Sequence, residues 1–223
     1  MKKSKKRILV LSGLNQEIES TIKTAISIAK IIGASVDFLY VKKPTAIVDQ
    51  ESQLSAIRSI NREPITMQRK VDEILHPYQE QYAVEIKGKF TYGNVKSEIR
   101  NYIDKTRPDM VILGKRKFTP IKIKDIGVTD FVLQIFDGPV IITSPTGMLE
   151  PESDLSIAIL KNANDKNSNL TIQELVDQSK YPLKSFAIVS QSERKKLADK
   201  NLDNSSNDFI FEKNDNILKS ISK

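Results

Sequence analysis

Ile8-Leu-Val-Leu11 and Met110-Val-Ile-Leu113 are unbroken apolar runs of four residues, and they decide the fold. A strand with one wet face alternates apolar and polar residues. A strand without alternation is covered on both faces, as in a parallel sheet. Between and around these runs the pattern changes period. Ile18, Ile22, Ala25, Ile26 and Ala29 share one helical face, with Asn15 placed to cap the helix and Gly33 to end it. Val36 to Val41 reads as a second strand. Residues 44 to about 82 are polar and helix-prone, interrupted at Pro64 and Pro77, which predicts one or two surface helices. Val84-Glu-Ile-Lys-Gly-Lys-Phe90 alternates, as a strand nearer the sheet edge does. Val95, Ile99, Tyr102 and Ile103 predict a helix opened by Asn94 and stopped before Pro108. Thr129 is placed to cap a short helix bearing Phe131, Val132, Ile135 and Phe136, and Pro139-Val-Ile-Ile-Thr143 completes a fifth strand. This alternation predicts an α/β fold with a parallel sheet and right-handed crossovers.

The chain then begins again. Leu155 to Leu160 reads as a strand, and Leu170, Ile172, Leu175 and Val176 as a helix behind Ser168-Asn169. Phe186-Ala-Ile-Val189 is another strand, followed by Phe209-Ile-Phe211 and a short helix over 216–221. The expected organisation is therefore a domain over 1–145, a Pro/Gly-containing linker over 146–153, and a partial second α/β unit over 154–223 that lacks the later elements.

Composition narrows the function classes. The chain has 223 residues, 39% hydrophobic and 28% charged, with no cysteine. Disulfide, thiol and Cys-ligated metal chemistry are thereby excluded. No apolar run approaches the ~18 residues that span a bilayer, and Met1 to Leu14 lacks the form of a cleaved leader, so the expectation is a cytoplasmic protein without a membrane partner. The net charge of +7 is lodged entirely in residues 1–150, because 151–223 hold 11 basic and 11 acidic residues. Residues 87–124 alone carry 11 basic residues against Glu98, Asp104 and Asp109. The sharpest cluster, Lys115-Arg-Lys117 with Lys122 and Lys124, reads first as a solvated loop and second as an anion site. Without interleaved aromatics or a recognised motif, nucleic acid is not an expected partner. His76 is the only histidine, has no second His or Cys to share a metal, and reads as a surface residue. Asp72 and Glu73 read as solvent-facing acids.

Arg7-Ile-Leu-Val-Leu11, Gly33-Ala-Ser-Val-Asp-Phe-Leu-Tyr-Val41, Gly93-Asn-Val-Lys-Ser-Glu-Ile99, and the segment from Pro108 through Gly114 to Gly138-Pro-Val-Ile-Ile-Thr143 resemble the universal stress protein family over about 1–145. The remainder is similar to a shortened second copy of the tandem kind. The resemblance implies an adenine-nucleotide-alpha-hydrolase-like open sheet of five parallel strands, ordered 3-2-1-4-5. It implies a ligand crevice between strands one and four, the topological switch point. ATP-binding members carry Gly-x2-Gly-x9-Gly followed by Ser or Thr after strand four, and an aspartate at the end of strand one. Here that pattern falls on Gly114, Lys117, Gly127 and Val128, with Thr129 one place late, and Gly13 stands at the aspartate position. The site implied by the resemblance is thus a degenerate nucleotide or anion site at Gly13, Val41, Gly114, Lys115, Arg116, Lys117, Gly127, Val128 and Thr129.

From these departures the expectation is a non-catalytic stress or regulatory module that acts by protein–protein interaction and holds no cofactor. The rival reading is a stress protein that weakly binds ATP, AMP or another phosphate ligand. A third, an adenylating enzyme of the pyrophosphatase type, rests only on Ser12-Gly13. Strand 139–144, apolar and β-branched at a sheet edge, predicts a homodimer.

Overall fold

A computed structural model describes residues 5–14, 18–43, 53–114, 127–143, 148–155, 158–161, 170–178, 184–189 and 207–212. The chain divides into two compact units, Met1–Ser153 and Asp154–Lys223. In the first, five parallel strands are ordered β3-β2-β1-β4-β5. They are β1 (Arg7–Leu11), β2 (Ser35–Lys42), β3 (Ile86–Tyr92), β4 (Met110–Gly114) and β5 (Val140–Thr143), as the resemblance implied. Ile8 pairs with both Val36 and Met110, so β1 is the middle strand. That position explains its composition: Ile8, Leu9 and Val10 are fully buried, as alternate residues meet cover on opposite faces. On one face Leu9, Leu11, Leu39, Val111 and Leu113 cluster with Ile99 and Ile103 of α3 (Val95–Thr106) and Val132 of α4 (Val128–Ile135). α1 (Ile18–Ile32) packs on β1, β2 and β4, and α2 (Gln53–Tyr82) on β3.

The helix ends follow local chemistry. Gly33 closes α1 at φ +66°, a left-handed position that costs glycine little. Asn94 caps α3 by accepting from the N–H groups of Lys96 and Ser97. α4 departs from expectation at its start. Gly127 is its cap, without a side-chain bond, and Thr129 lies inside the first turn, because the helix begins one residue before it. α2 is one helix of 30 residues that carries both Pro64 and Pro77. Each proline removes one backbone hydrogen bond, but the fully buried Val71 and the nearly buried Leu75 hold the helix on β3.

α2 also closes the β3 edge of the sheet. The Gln68 carboxamide accepts from Phe90 N–H at 2.9 Å and donates to Gly88 O at 3.0 Å, two outward groups that a further strand would otherwise pair. Gln79 donates to Ile86 O. No such cover meets β5 among the described residues, and Ile142 there is 49% exposed.

After β5, residues 148–153 run along α1 as a strap. Leu149 N–H donates to the Thr24 hydroxyl at 3.2 Å, and its carbonyl accepts from Ser27 at 3.0 Å. Lys23 joins Glu19 and Glu150 at 2.9 and 3.3 Å, and those two carboxylates raise its pKa. The second unit holds β6 (Ala158–Lys161), α5 (Leu170–Asp177), β7 (Lys184–Val189) and β8 (Asn207–Glu212), with three parallel strands ordered β6-β7-β8. The expected helix over 216–221 lies outside the described residues.

Candidate functional site

Strand order reverses at β1, so the switch point lies at the carboxyl ends of β1 and β4, where Leu11 pairs with Leu113. Gly13 follows β1, and a Cβ built there would meet nothing within 4 Å. Gly114 closes β4 opposite Thr143 and is packed tightly. A Cβ on it would lie 3.0 Å from both Ser12 Oγ and Thr21 Oγ1, so this glycine serves close packing between β4 and the start of α1. Thr21 is fully buried and shares a 2.9 Å hydrogen bond with Thr143 Oγ1, which also donates to Leu113 O at 3.2 Å. The hydroxyls nearest the switch point thus bind one another and the strand ends.

Val41 is half-buried and packs against the cluster under α3 and α4, and Val128 turns its side chain into the same cluster. Gly127 is exposed at the α4 cap, and Thr129 is half-buried behind it. Lys115, Arg116 and Lys117, with Lys122 and Lys124, lie outside the described residues. Gly13 and Gly114 therefore come together at the strand ends, while Val41 and Val128 belong to the core.

The amino-terminal end of the sheet holds a different polar group. Asp37, on a central strand and nearly buried, faces Arg7 Nε at 3.4 Å and accepts from the Tyr102 hydroxyl. Burial and the Asp37 charge push the Tyr102 phenol up to about 12. Arg7 also donates to Thr106 O at 3.0 Å, which ties β1 to the end of α3. This group braces the fold. His76 is exposed, 3.5 Å from Glu80 one turn along α2. Among the described residues no group of His, Asp and Glu is arranged to hold a metal ion, and no helix is long and apolar enough to cross a membrane.

Sequence reasoning missed the Ser12–Thr21–Thr143 hydroxyl group. Its one signal was the run of Ser20, Thr21, Thr24 and Ser27 on an otherwise apolar helix, all buried in the structure. It also missed a groove between α3 and α4, because Phe131 is remote in sequence from the cations it meets, Lys96 and Arg100.

Comparison with known proteins gives a consistent result. No curated protein sequence matches the chain. Among solved structures, a universal stress protein from Archaeoglobus fulgidus is 12% identical, covering 95% of this chain and 80% of its own, with a TM-score of 0.62. UspA from Lactobacillus plantarum is 20% identical, covering 64% of this chain and all of its own, at a TM-score of 0.49. A family member from Arabidopsis thaliana, solved with AMP bound, is 13% identical, covering 61% of this chain and 90% of its own, at 0.42. Residues 5–144 match the universal stress protein family itself, from the strand that leads the sheet to the edge that ends it. The chain belongs to the universal stress protein family.

Proposed function

We propose that the chain is a regulatory, non-catalytic member of this family that acts in the cytoplasm by binding other proteins and itself. In this reading it does not retain ATP. Gly13 carries the proposal: at the end of β1, where the resemblance calls for a nucleoside-holding carboxylate, there is no side chain and nothing within 4 Å of a Cβ position. The Thr21–Thr143 bond supports it, since those hydroxyls are engaged internally. Each lost charge-assisted hydrogen bond costs about 1.5–3 kcal/mol, so the loss of three would carry a micromolar site to millimolar or weaker. Native mass spectrometry is expected to find no bound nucleotide, and calorimetry a millimolar or weaker dissociation constant for ATP. A constant near micromolar would overturn the reading.

Self-association is proposed through residues 139–144. The β3 edge is closed by Gln68 and Gln79, whereas β5 offers Val140–Thr143 with Ile142 half exposed. An open β-branched edge pairs readily, and two copies related by a two-fold axis satisfy each other. Light scattering should report a dimer at tens of micromolar, and Ile142→Pro a monomer. A monomeric unmodified protein would reject this interface.

The second unit is read as a shortened copy of the first. In its support, α5 joins β6 to β7 as α1 joins β1 to β2, and β6-β7-β8 repeats the neighbour order of β1-β2-β3. The rival function, a weak phosphate-ligand site, draws on the uncapped start of α4 at Gly127 and on the cations of 115–124 in the sequence. It requires an affinity that falls steeply with salt.

A further inference from the structure

We infer that the groove between α3 and α4 docks a short acidic segment of a partner protein, with a bulky apolar residue as its anchor. The inference rests on the reading of the chain as a protein-binding module, and it names the surface and the chemistry of the partner. Lys96 and Arg100 stand one turn apart on α3. Their charged ends lie 6.0 and 5.4 Å from the centroid of one ring, Phe131 of α4. Like charges at this spacing oppose each other and weaken a helix. Among the described residues no ion pair uses Arg100, or Arg107 just past the helix end. Two neighbouring acids are occupied elsewhere: Glu98 with the Thr91 hydroxyl and Asp109 with the N–H of Arg7. The upper groove is therefore a basic flank resting on an aromatic ring.

Its lower end is an open cleft of about 630 Å³ with an apolar floor of Ile103, Pro108, Ile135 and Phe136 and charged side chains, Asp104, Arg107 and Asp137, around it. Phe136 is laid against Gly138, where a Cβ would come within 2.4 Å of the ring. Asp104 and Asp137 stand at this end, so added negative charge is unwelcome there. Acid is favoured above and an apolar side chain below.

The dimensions suit an extended peptide. From Lys96 to Arg107 is about 16 Å along a helix axis, the reach of about five extended residues. Lys96 and Arg100 are about 6 Å apart along the axis, close to the ~6.6 Å between alternate residues of a strand, which point the same way. An acid-x-acid pair followed at three residues by Leu or Phe meets both ends. A nucleic acid fits less well, because the two rings at the site are already engaged, Phe131 with the Lys96 and Arg100 cations and Phe136 against Gly138.

The test uses the full chain with two fluorescein-labelled probes, Glu-Ser-Glu-Ser-Ser-Phe and the reversed sequence, followed by anisotropy at low salt. At least one should bind with a sub-millimolar constant that weakens as salt rises. The double variant Lys96→Glu/Arg100→Glu should weaken it about tenfold or more, and Asp104→Lys should tighten it several-fold. The methyl NMR signals of Ile103 and Ile135 should move on titration. A Phe-to-Ser probe should lose those shifts. Absence of binding by both probes, an unchanged affinity in the double variant, or unmoved methyl signals would overturn the proposal. So would an oligothymidylate that displaces the probes and moves the same signals. Any of these would leave the ATP calorimetry and the light scattering unaffected, so failure here is distinguishable from failure of the wider reading.

Discussion

Gln68→Glu is isosteric and retains the acceptor, but it removes both hydrogen bonds that the side chain donates. In the native protein Nε2 reaches Gly88 O at 3.0 Å and Asp72 Oδ1 at 2.9 Å, while Oε1 receives Phe90 N–H at 2.9 Å. The new carboxylate would still accept from Phe90. Toward Gly88 it would set a charge against a carbonyl, and toward Asp72 a charge against a like charge. The bond to Gly88 is part-buried, and its loss costs about 1 kcal/mol. The exposed bond to Asp72 and the repulsion replacing it add about 1–2 kcal/mol. The expected destabilisation is about 2–3 kcal/mol, which for a chain of this size lowers Tm by roughly 5–10 °C. The deficit should shrink as pH falls through the usual carboxylate range, because a protonated carboxyl can donate again. Thermal unfolding by far-UV circular dichroism at neutral and acidic pH reads both effects. A Tm within about a degree of the native value at pH 7 would refute the idea that Gln68 closes the strand edge.

Other changes follow from neighbouring geometry. Gly88→Ala would place a Cβ 2.6 Å from Val71 Cγ1 and 2.7 Å from Leu75 Cδ1, so overpacking should cost about 1–3 kcal/mol in urea unfolding. Combining it with Val71→Ala should recover part of that loss, and strict additivity would show that the contact is relieved elsewhere. Thr143→Val removes the hydrogen bond to Thr21 and should cost about 1–3 kcal/mol, with Thr21→Val/Thr143→Val costing less than the sum of the single changes. Tyr102 keeps its proton in the folded state up to about pH 12, whereas the unfolded chain loses it near 10. The folded state then holds more protons across that window, so stability should fall as pH rises from 10 to 12. Tyr102→Phe should flatten this fall, and an unchanged slope would refute the assignment.

The strands were legible because their burial is written in the period of the sequence. Continuous runs at 8–11 and 110–113 became β1 and β4, and the alternating run became the edge strand β3, shifted to 86–92. Asn94 and Gly33 acted as the cap and stop their chemistry predicts. The prolines of α2 misled in part, since tertiary packing through Val71 and Leu75 outweighs two missing backbone bonds. The edge cover by Gln68 was illegible, because a polar helix face looks the same whether its side chains meet water or a strand. At the candidate site, Gly114 was visible as a motif residue, but its close packing against Ser12 and Thr21 depends on contacts between distant segments. The basic flank was visible in the charge count. Its setting on Phe131 was not.

The strap of residues 148–153 has a consequence for how the first unit comes apart. It lies on α1 through the hydroxyls of Thr24 and Ser27 and through the Lys23–Glu150 and Lys30–Glu152 pairs, while Met148 stays partly in water. Hydroxyls and ammonium groups accept water as readily as they accept a backbone. Peeling the strap away would therefore uncover a wettable stripe of α1, with its apolar side still on the sheet. Such a segment opens at low free energy, well below that of global unfolding. A protease should cut within the strap, and the trimmed first unit should stay in solution, with its self-association still confined to the β5 edge.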